Sequence, residues 1–313
     1  MNSMGVNALD NKILTVVWLR SAADAMLTQH YISNVILSRV GVPVRHKFIE
    51  DISEFPMIDN VLIINMTQNM SLISEFVADR GCKNVGVLAA CHTGGEYMDY
   101  YPKVDYVLRI HFSPSQMVVP EGARCFNISW IPLGYKTGTG PRNRESLLPF
   151  EHREIEFFFS GAPDTNYGER LSMISAVKES NLPVWMNITK GFSQGLSVNH
   201  YRGMMENAKF ALIPGGTDAE TIRLFEALEL GCIPISLDHA FLNDDRAMGG
   251  SPVVRLQSWA ELPLWYDRVK SSSNYLSVME IYRLQVSEWW HAFKIKQADK
   301  VGEIIRHSFS LNS

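Results

Sequence analysis

Cysteine is scarce in this chain: four in 313 residues, none in a Cys-x-x-Cys or mixed Cys/His ligand spacing. That spacing excludes a zinc ribbon or finger and leaves no pairing pattern for a disulfide scaffold. Cys82, Cys91 and Cys232 stand in or beside apolar segments, where a reduced thiol packs as a small hydrophobe, so a reducing compartment is expected. Excess positive charge is also lacking. With 29 Lys and Arg against 33 Asp and Glu, the net charge is −4, and no nucleic-acid partner is expected. No apolar run reaches the ~18 residues of a membrane span. The opening "MNSMGVNALDNK" has no basic flank followed by an apolar stretch, so no secretory leader is expected either. These absences describe a soluble, cytoplasmic protein. Two more bear on chemistry. "GGEYMD" (94–99) lacks the alternating carboxylates of an Asp-x-Asp metal motif, and "TGTGPRNR" (137–144) lacks the lysine and following helix of a Walker phosphate loop. No metal site and no cofactor are expected.

What is present is an alternation of apolar runs and helical patterns. Hydrophobic residues make up 46% and charged residues 20%, enough for buried cores, and the length suits two domains. The runs at 13–19, 44–50, 60–66, 84–92, 104–112 and 125–134 read as strands, with helices predicted over 21–41 and 70–81. Near-continuous apolar strands between helices imply a parallel sheet covered on both faces, a Rossmann-like domain over 1–145. "GYKTGTGPRNRESLLPFEHRE" (134–154), rich in Gly, Pro and charge, reads as an interdomain linker. A second Rossmann-like domain is expected over 146–285. Its strands are predicted at 155–162, 182–189 and 209–215 and its helices at 166–180 and 197–208, with 210–235 and 259–270 completing the set. The long helical pattern near the C-terminus is expected to cross back onto the first domain over 286–313. Two such domains place a cleft at the carboxyl ends of both sheets.

The stretch "FALIPGGTDAETIRLFEALELGCIPI" (210–235) reads as strand, glycine turn, helix, glycine turn and strand. A strand ending in "PGG" ahead of a helix offers backbone N–H groups and a helix dipole to an anion. Asp218 is the expected N-cap. Arg223, in the opening turns, can fork onto phosphate oxygens. Glu226, one turn on, suits neutral hydroxyls just beyond the phosphate, as on a ribose. The helical wheel carries a competing reading. Ile222, Phe225 and Leu228 form the apolar stripe, which puts Arg223 nearly opposite and makes Arg223 and Glu226 a solvated i,i+3 pair.

"TIRLFEALELGCIPI" resembles the exostosin family of glycosyltransferases, whose C-terminal domain carries Ser/Thr-x-Arg-x-x-Glu-Ala followed by Gly-Cys-Ile-Pro-Val. Thr221, Arg223, Glu226, Ala227, Gly231, Cys232, Ile233 and Pro234 match, with Ile235 in place of valine. "YRGMMENAKFALIPGG" is similar to the family's next block upstream, and "FFFSGAPDTNYGERLSMI" matches a further one at Gly161 and Arg170. The resemblance implies a GT-B fold, a UDP-sugar donor and no essential metal. It also implies a donor site of Gly161, Arg170, Pro214, Gly215, Gly216, Thr221, Arg223 and Glu226. In the first half, "CHTGGEYMDYYPKVDYVLRIHF" and "WIPLGYKTG" are similar to soluble exostosin-like relatives, pentose-transferring ones among them. The chain departs from them with Gly95 for aspartate and His111-Phe112 for Tyr-Trp. Animal and plant members usually carry an N-terminal membrane anchor. Its absence from this sequence implies a bacterial or viral enzyme, the latter acting in an infected host cell, or a trimmed form.

Inverting transfer needs a base beside the acceptor hydroxyl. "AACHTGGEYMD" follows an apolar strand, so Glu96 is the first candidate, then His92 and Asp99; the plainer role for Glu96 is to hydrogen-bond a hydroxyl or cap a helix. Tyr97, Tyr100, Tyr101 and Trp130 are candidates for stacking on sugars or for core packing. The expected activity is inverting transfer from a UDP-sugar to a hydroxyl of an acceptor glycan. Xylose or another pentose is favoured over glucuronic acid or a hexose. A retaining enzyme is the first alternative, although Glu220 and Glu226 are six apart and Glu220 and Glu229 nine, not the seven such enzymes often show. A non-catalytic nucleotide-sugar or glycan binding protein is the second.

Overall fold

The computed structural model describes residues 13–19, 27–50, 54–55, 58–65, 82–90, 100–191 and 194–311. The helix predicted over 70–81 and the start of the one predicted over 21–41 lie outside them. Contacts divide the chain into two units, one ending at Pro132 and resuming at Lys294, the other Leu133–Phe293. The expected divisions were at 145/146 and 285/286.

The first unit is a six-stranded sheet of β1 (Leu14–Leu19), β2 (Val44–Ile49), β3 (Val61–Asn65), β4 (Val85–Ala89), β5 (Tyr106–Arg109) and β6 (Asn127–Trp130), in the order β2-β1-β3-β4-β5-β6. Every pairing is parallel. All five side-chain positions of β4 are buried, as a strand covered on both faces requires. Gly86 has no alternative there, since a Cβ would lie 2.0 Å from the Tyr106 ring. Between β1 and β2, α1 (Gln29–Tyr31) widens into a π-helical turn over Ile32–Ile36. Val17, Val61, Val87 and Val107 centre the core under this sheet.

The second unit is a five-stranded parallel sheet. In chain order it runs β7 (Ile155–Gly161), α2 (Tyr167–Glu179), β8 (Val184–Ile188), α3 (Val198–Glu206), β9 (Ala208–Leu212), α4 (Ile222–Glu229) and β10 (Ile233–Leu237). It continues with α5 (Ala240–Asn243), β11 (Val254–Leu256) and α6 (Leu262–Lys270). The strand order is β11-β10-β9-β7-β8, so β7 and β9, separated in sequence by a strand and two helices, are neighbours. The core is dominated by Phe157, Phe159, Phe210 and Ile233.

The helix α7 (Tyr275–Leu311) is continuous for 37 residues. Its last part belongs to the first unit, as expected. There Lys300 Nζ donates to the Trp130 carbonyl at 2.9 Å, and Arg306 Nη1 to the carbonyls of Arg39 and Val40 at 2.9 and 3.0 Å. Gly302 lets the helix approach closely, since a Cβ there would be 2.3 Å from the Arg39 carbonyl oxygen.

The stretch expected to be an interdomain linker belongs instead to the second unit and anchors a few of its residues in that unit's interior. Tyr135, Thr139, Phe150 and Arg153 are buried. Arg153 donates to the carbonyls of Leu148, Ala208 and Leu230 at 3.0, 2.8 and 3.1 Å. Local composition does not reveal the buried residues, because their partners lie far along the chain, Ala208 and Leu230 for Arg153 and Glu229 for the Arg142 N–H.

Candidate functional site

Adjacent parallel strands β7 and β9 each lead into a helix, α2 and α4, at their carboxyl ends. Each helix carries an arginine in its first turn. Arg223 turns back along β7. Its Nε and Nη2 donate to the Ser160 carbonyl at 3.0 and 2.6 Å, and its guanidinium lies 4.9 Å from the centre of the Phe159 ring. Its Nη1 is buried without a partner. Arg170 donates through Nε to the Gly215 carbonyl at 2.8 Å and through Nη1 to the Ala162 carbonyl. The residues are 9% and 5% exposed. Burial pushes the Arg170 guanidinium down to about 10, and the nearby Arg223 charge adds to that shift. Two buried like charges with a donor left over form a local environment that an anion would relieve.

The glycines define the room around these cations. A Cβ at Gly161 would stand 2.4 Å from Arg223 Nη2, and one at Gly216 would stand 3.3 Å from Arg170 Nη2. Pro214 is buried at the start of the loop. Thr221 occupies the N-cap position of α4 with an extended backbone, makes no side-chain cap bond, and buries an unpartnered Oγ1. The structure thus gathers Gly161, Arg170, Pro214, Gly215, Gly216, Thr221 and Arg223 at one edge of the sheet. Asp218 is not the cap: it precedes the N-cap by three residues, and its carbonyl accepts the Gly216 N–H at 2.8 Å.

Three sequence expectations change here. Arg223 and Glu226 are not a solvated pair, because α4 is buried from Arg223 to Glu229 on every face. The amides of the glycine turn are not open, because Gly215 N–H donates to Glu169 Oε1 at 2.9 Å while Gly216 N–H is taken by Asp218. Glu226, expected to meet ribose hydroxyls, is 3% exposed with both oxygens engaged. Tyr201 Oη donates to Oε2 at 2.7 Å and Thr139 Oγ1 to Oε1 at 3.4 Å. Burial pushes its carboxyl up, against the opposing pull of Tyr201 and Arg223.

The polar face of α4 is covered by the segment 133–142. Glu220 accepts the Leu133 N–H at 2.9 Å, and Glu229 accepts the Arg142 N–H at 2.7 Å and the Trp290 Nε1–H at 2.7 Å. With Thr139 on Glu226, each contact spans the same 87 positions. The strap therefore runs beside α4 in register, and each glutamate takes a donor from it.

Two site residues carry no signal in the sequence patterns. Glu169 precedes Arg170 on α2, and His239 follows β10 with its Nε2 3.5 Å from Glu169 Oε1. Adjacency to Arg170, and position just past a strand's carboxyl end, are the only hints at them. In the first unit, His92, Glu96, Asp99 and Tyr97 lie outside the described residues. Near the carboxyl end of β5, Arg109 is fully buried, with Nη1 on Tyr101 Oη at 3.1 Å and Nε on the His111 carbonyl at 3.4 Å. Tyr100 and Tyr101 pack edge to face at 4.8 Å and Trp130 is buried, so all three serve the core. Among the described residues no cluster of three His, Cys, Asp or Glu side chains is placed to hold a metal, and no helix is long and apolar enough to cross a membrane.

Comparison with known proteins gives two domain matches and two named relatives. The exostosin GT47 domain matches residues 91–246 and the RXYLT1 C-terminal domain matches residues 189–310. Ribitol-5-phosphate xylosyltransferase 1 of Mus musculus is 26% identical over 131 residues, 37% of this chain and 29% of that protein. The Danio rerio protein of the same name is 23% identical over 120 residues, 35% of this chain and 27% of that protein. The chain thus spans under a third of the length of either relative. A solved alpha1,3-fucosyltransferase structure is similar at a TM-score of 0.49 and 13% identity, over 90% of this chain and 83% of that one. The exostosin GT47 match contains every candidate donor-site residue named above, so over residues 91–246 the chain is similar to the exostosin GT47 glycosyltransferases, and over 189–310 to the RXYLT1 C-terminal domain.

Proposed function

We propose that this protein is an inverting GT-B glycosyltransferase that moves a sugar from a UDP-sugar to a hydroxyl of an acceptor glycan, the second unit holding the donor. The observation that carries the proposal is the buried pair Arg170 and Arg223, delivered from two helices at adjacent strand ends, with Arg223 Nη1 unpartnered. Preorganised cations at a departing diphosphate stabilise charge as it develops, and they do so most strongly away from water. Two guanidiniums supply the charge that a divalent cation supplies elsewhere, which favours metal-independent transfer. Glu226, held by Tyr201 and Thr139, is assigned to setting the orientation of α4 and hence of Arg223, rather than to touching ribose.

The base is assigned to Glu96, with His92 and Asp99 as the alternatives. It takes the proton as the acceptor oxygen bonds to the anomeric carbon and the bond to the diphosphate oxygen breaks, the electron pair leaving with UDP. The relatives' names favour xylose as the sugar and a ribitol-phosphate-bearing glycan as the acceptor. The test is UDP release by the full chain from UDP-xylose, UDP-glucuronic acid and UDP-hexoses in the presence and absence of EDTA, with the product's anomeric configuration read by NMR. UDP release from one of them, undiminished by EDTA and with inversion, is expected. Retention would remove the need for a base, and absence of both turnover and UDP binding would refute the assignment.

A further inference from the structure

The Gly215 amide, at the centre of the candidate donor site, is already held by an anion belonging to the chain. Glu169 Oε1 accepts its N–H at 2.9 Å, while Glu169 Oε2 lies where a Cβ on Gly215 would come within 2.7 Å of it. Asn166 Nδ2 donates to Oε2 at 3.4 Å, and His239 Nε2 stands 3.5 Å from Oε1. Arg170, the next residue, grips the carbonyl of the same glycine at 2.8 Å. The backbone of Gly215 is therefore clasped on both sides, its N–H by a carboxylate and its carbonyl by a guanidinium.

A carboxylate oxygen and a phosphate oxygen are equivalent acceptors for a backbone N–H, and both are favoured at a helix-and-glycine turn. They cannot both take one hydrogen. A carboxylate beside the two buried guanidiniums would also repel a diphosphate brought to Arg223 Nη1. We propose, resting on the donor-site reading above, that Glu169 occupies the seat of a donor phosphate oxygen and is exchanged for it, the diphosphate taking the Gly215 N–H while the carboxylate turns onto His239. The exchange needs only side-chain rotation at Glu169, because His239 is already in range. The returning carboxylate then competes with UDP after transfer and speeds its release, a step that limits turnover in many enzymes.

The alternative is that Glu169 is a fixed brace of the loop. The two roles give opposite signs. The experiment titrates UDP into the full chain by calorimetry for the wild type, Glu169→Gln, Glu169→Ala and Asp164→Asn. Asp164 is an exposed acid near Arg170 and controls for loss of negative charge alone. Exchange predicts that both Glu169 variants bind UDP about tenfold more tightly, the scale of a charge-assisted hydrogen bond no longer displaced, while Asp164→Asn stays within about twofold. Unchanged or weaker UDP binding by both Glu169 variants overturns the exchange and leaves the donor-site reading standing. UDP binding by none of the four proteins overturns both.

Discussion

Replacing Arg223 with alanine tests the donor site most directly, and the structure separates its two costs. The first is stability. The change removes the donors at 3.0 and 2.6 Å from the Ser160 carbonyl and the face-on contact with Phe159. It also takes away the cation that opposes the burial of the Glu226 carboxylate. A hydrogen bond to a charged group contributes about 1.5–3 kcal/mol. Against that, Arg170 is freed from a like charge that depresses it, so the net loss is expected near the lower end of that range. For a unit of this size that lowers the melting temperature by a few degrees, about 2–4 °C per kcal/mol. The second cost is catalytic. A preorganised group at developing charge contributes about 2.7–4 kcal/mol, or 10²–10³ in rate. Turnover of a UDP-sugar at 25 °C, with folding checked by circular dichroism, should therefore fall at least a hundredfold in a protein that remains folded. Arg223→Lys keeps a charge but cannot fork onto Ser160 and leave a donor free, so it should recover only part of the loss. A folded Arg223→Ala variant with kcat/KM within about tenfold of wild type would refute the placement of the diphosphate.

Two further predictions concern what holds the second unit together. Glu229 accepts from Arg142 N–H and Trp290 Nε1–H with its two oxygens. Glu229→Gln offers one acceptor and a misplaced donor, and should cost about 2–3 kcal/mol in chemical denaturation, the range of a lost charged hydrogen bond; an unchanged midpoint would show that the strap is not held there. Glu156 accepts from Lys209 at 2.8 Å, Tyr275 at 2.6 Å and Tyr266 at 2.9 Å. Burial works against its charge, but these bonds outweigh it and hold its carboxyl below the usual range. Its stabilisation is thus complete above the ordinary carboxylate range and lost as pH falls through the lowered value. Glu156→Gln should destabilise at pH 7 by about 2 kcal/mol, with the gap to wild type closing below about pH 4. A gap independent of pH would count against the ionised carboxylate as its source.

The sequence by itself determined every described strand except β11, and their order along the chain. Covered parallel strands must be apolar on both faces, and runs such as "ILTVVWL", "NVGVLAACH" and "IEFFFSGA" became β1, β4 and β7 within a residue or two at each start. It also singled out Arg170 and Arg223 as candidates, because the family resemblance carries both. Tertiary structure alone decided the surroundings of α4. Helical periodicity assigns polar residues to solvent, and by that rule Arg223 and Glu226 faced water; instead Arg223 bonds the Ser160 carbonyl, and a strap from 87 positions upstream meets Glu226. The strap was illegible for the complementary reason: its composition is that of a linker, and its partners are side chains no local pattern can pair with it. The pairing of β7 with β9 likewise brought Glu169, Arg170 and Gly215 together across some 45 residues of chain. Local propensity records which segments become strands and helices, whereas a hydrogen bond that satisfies a buried charge is written only where two distant segments meet.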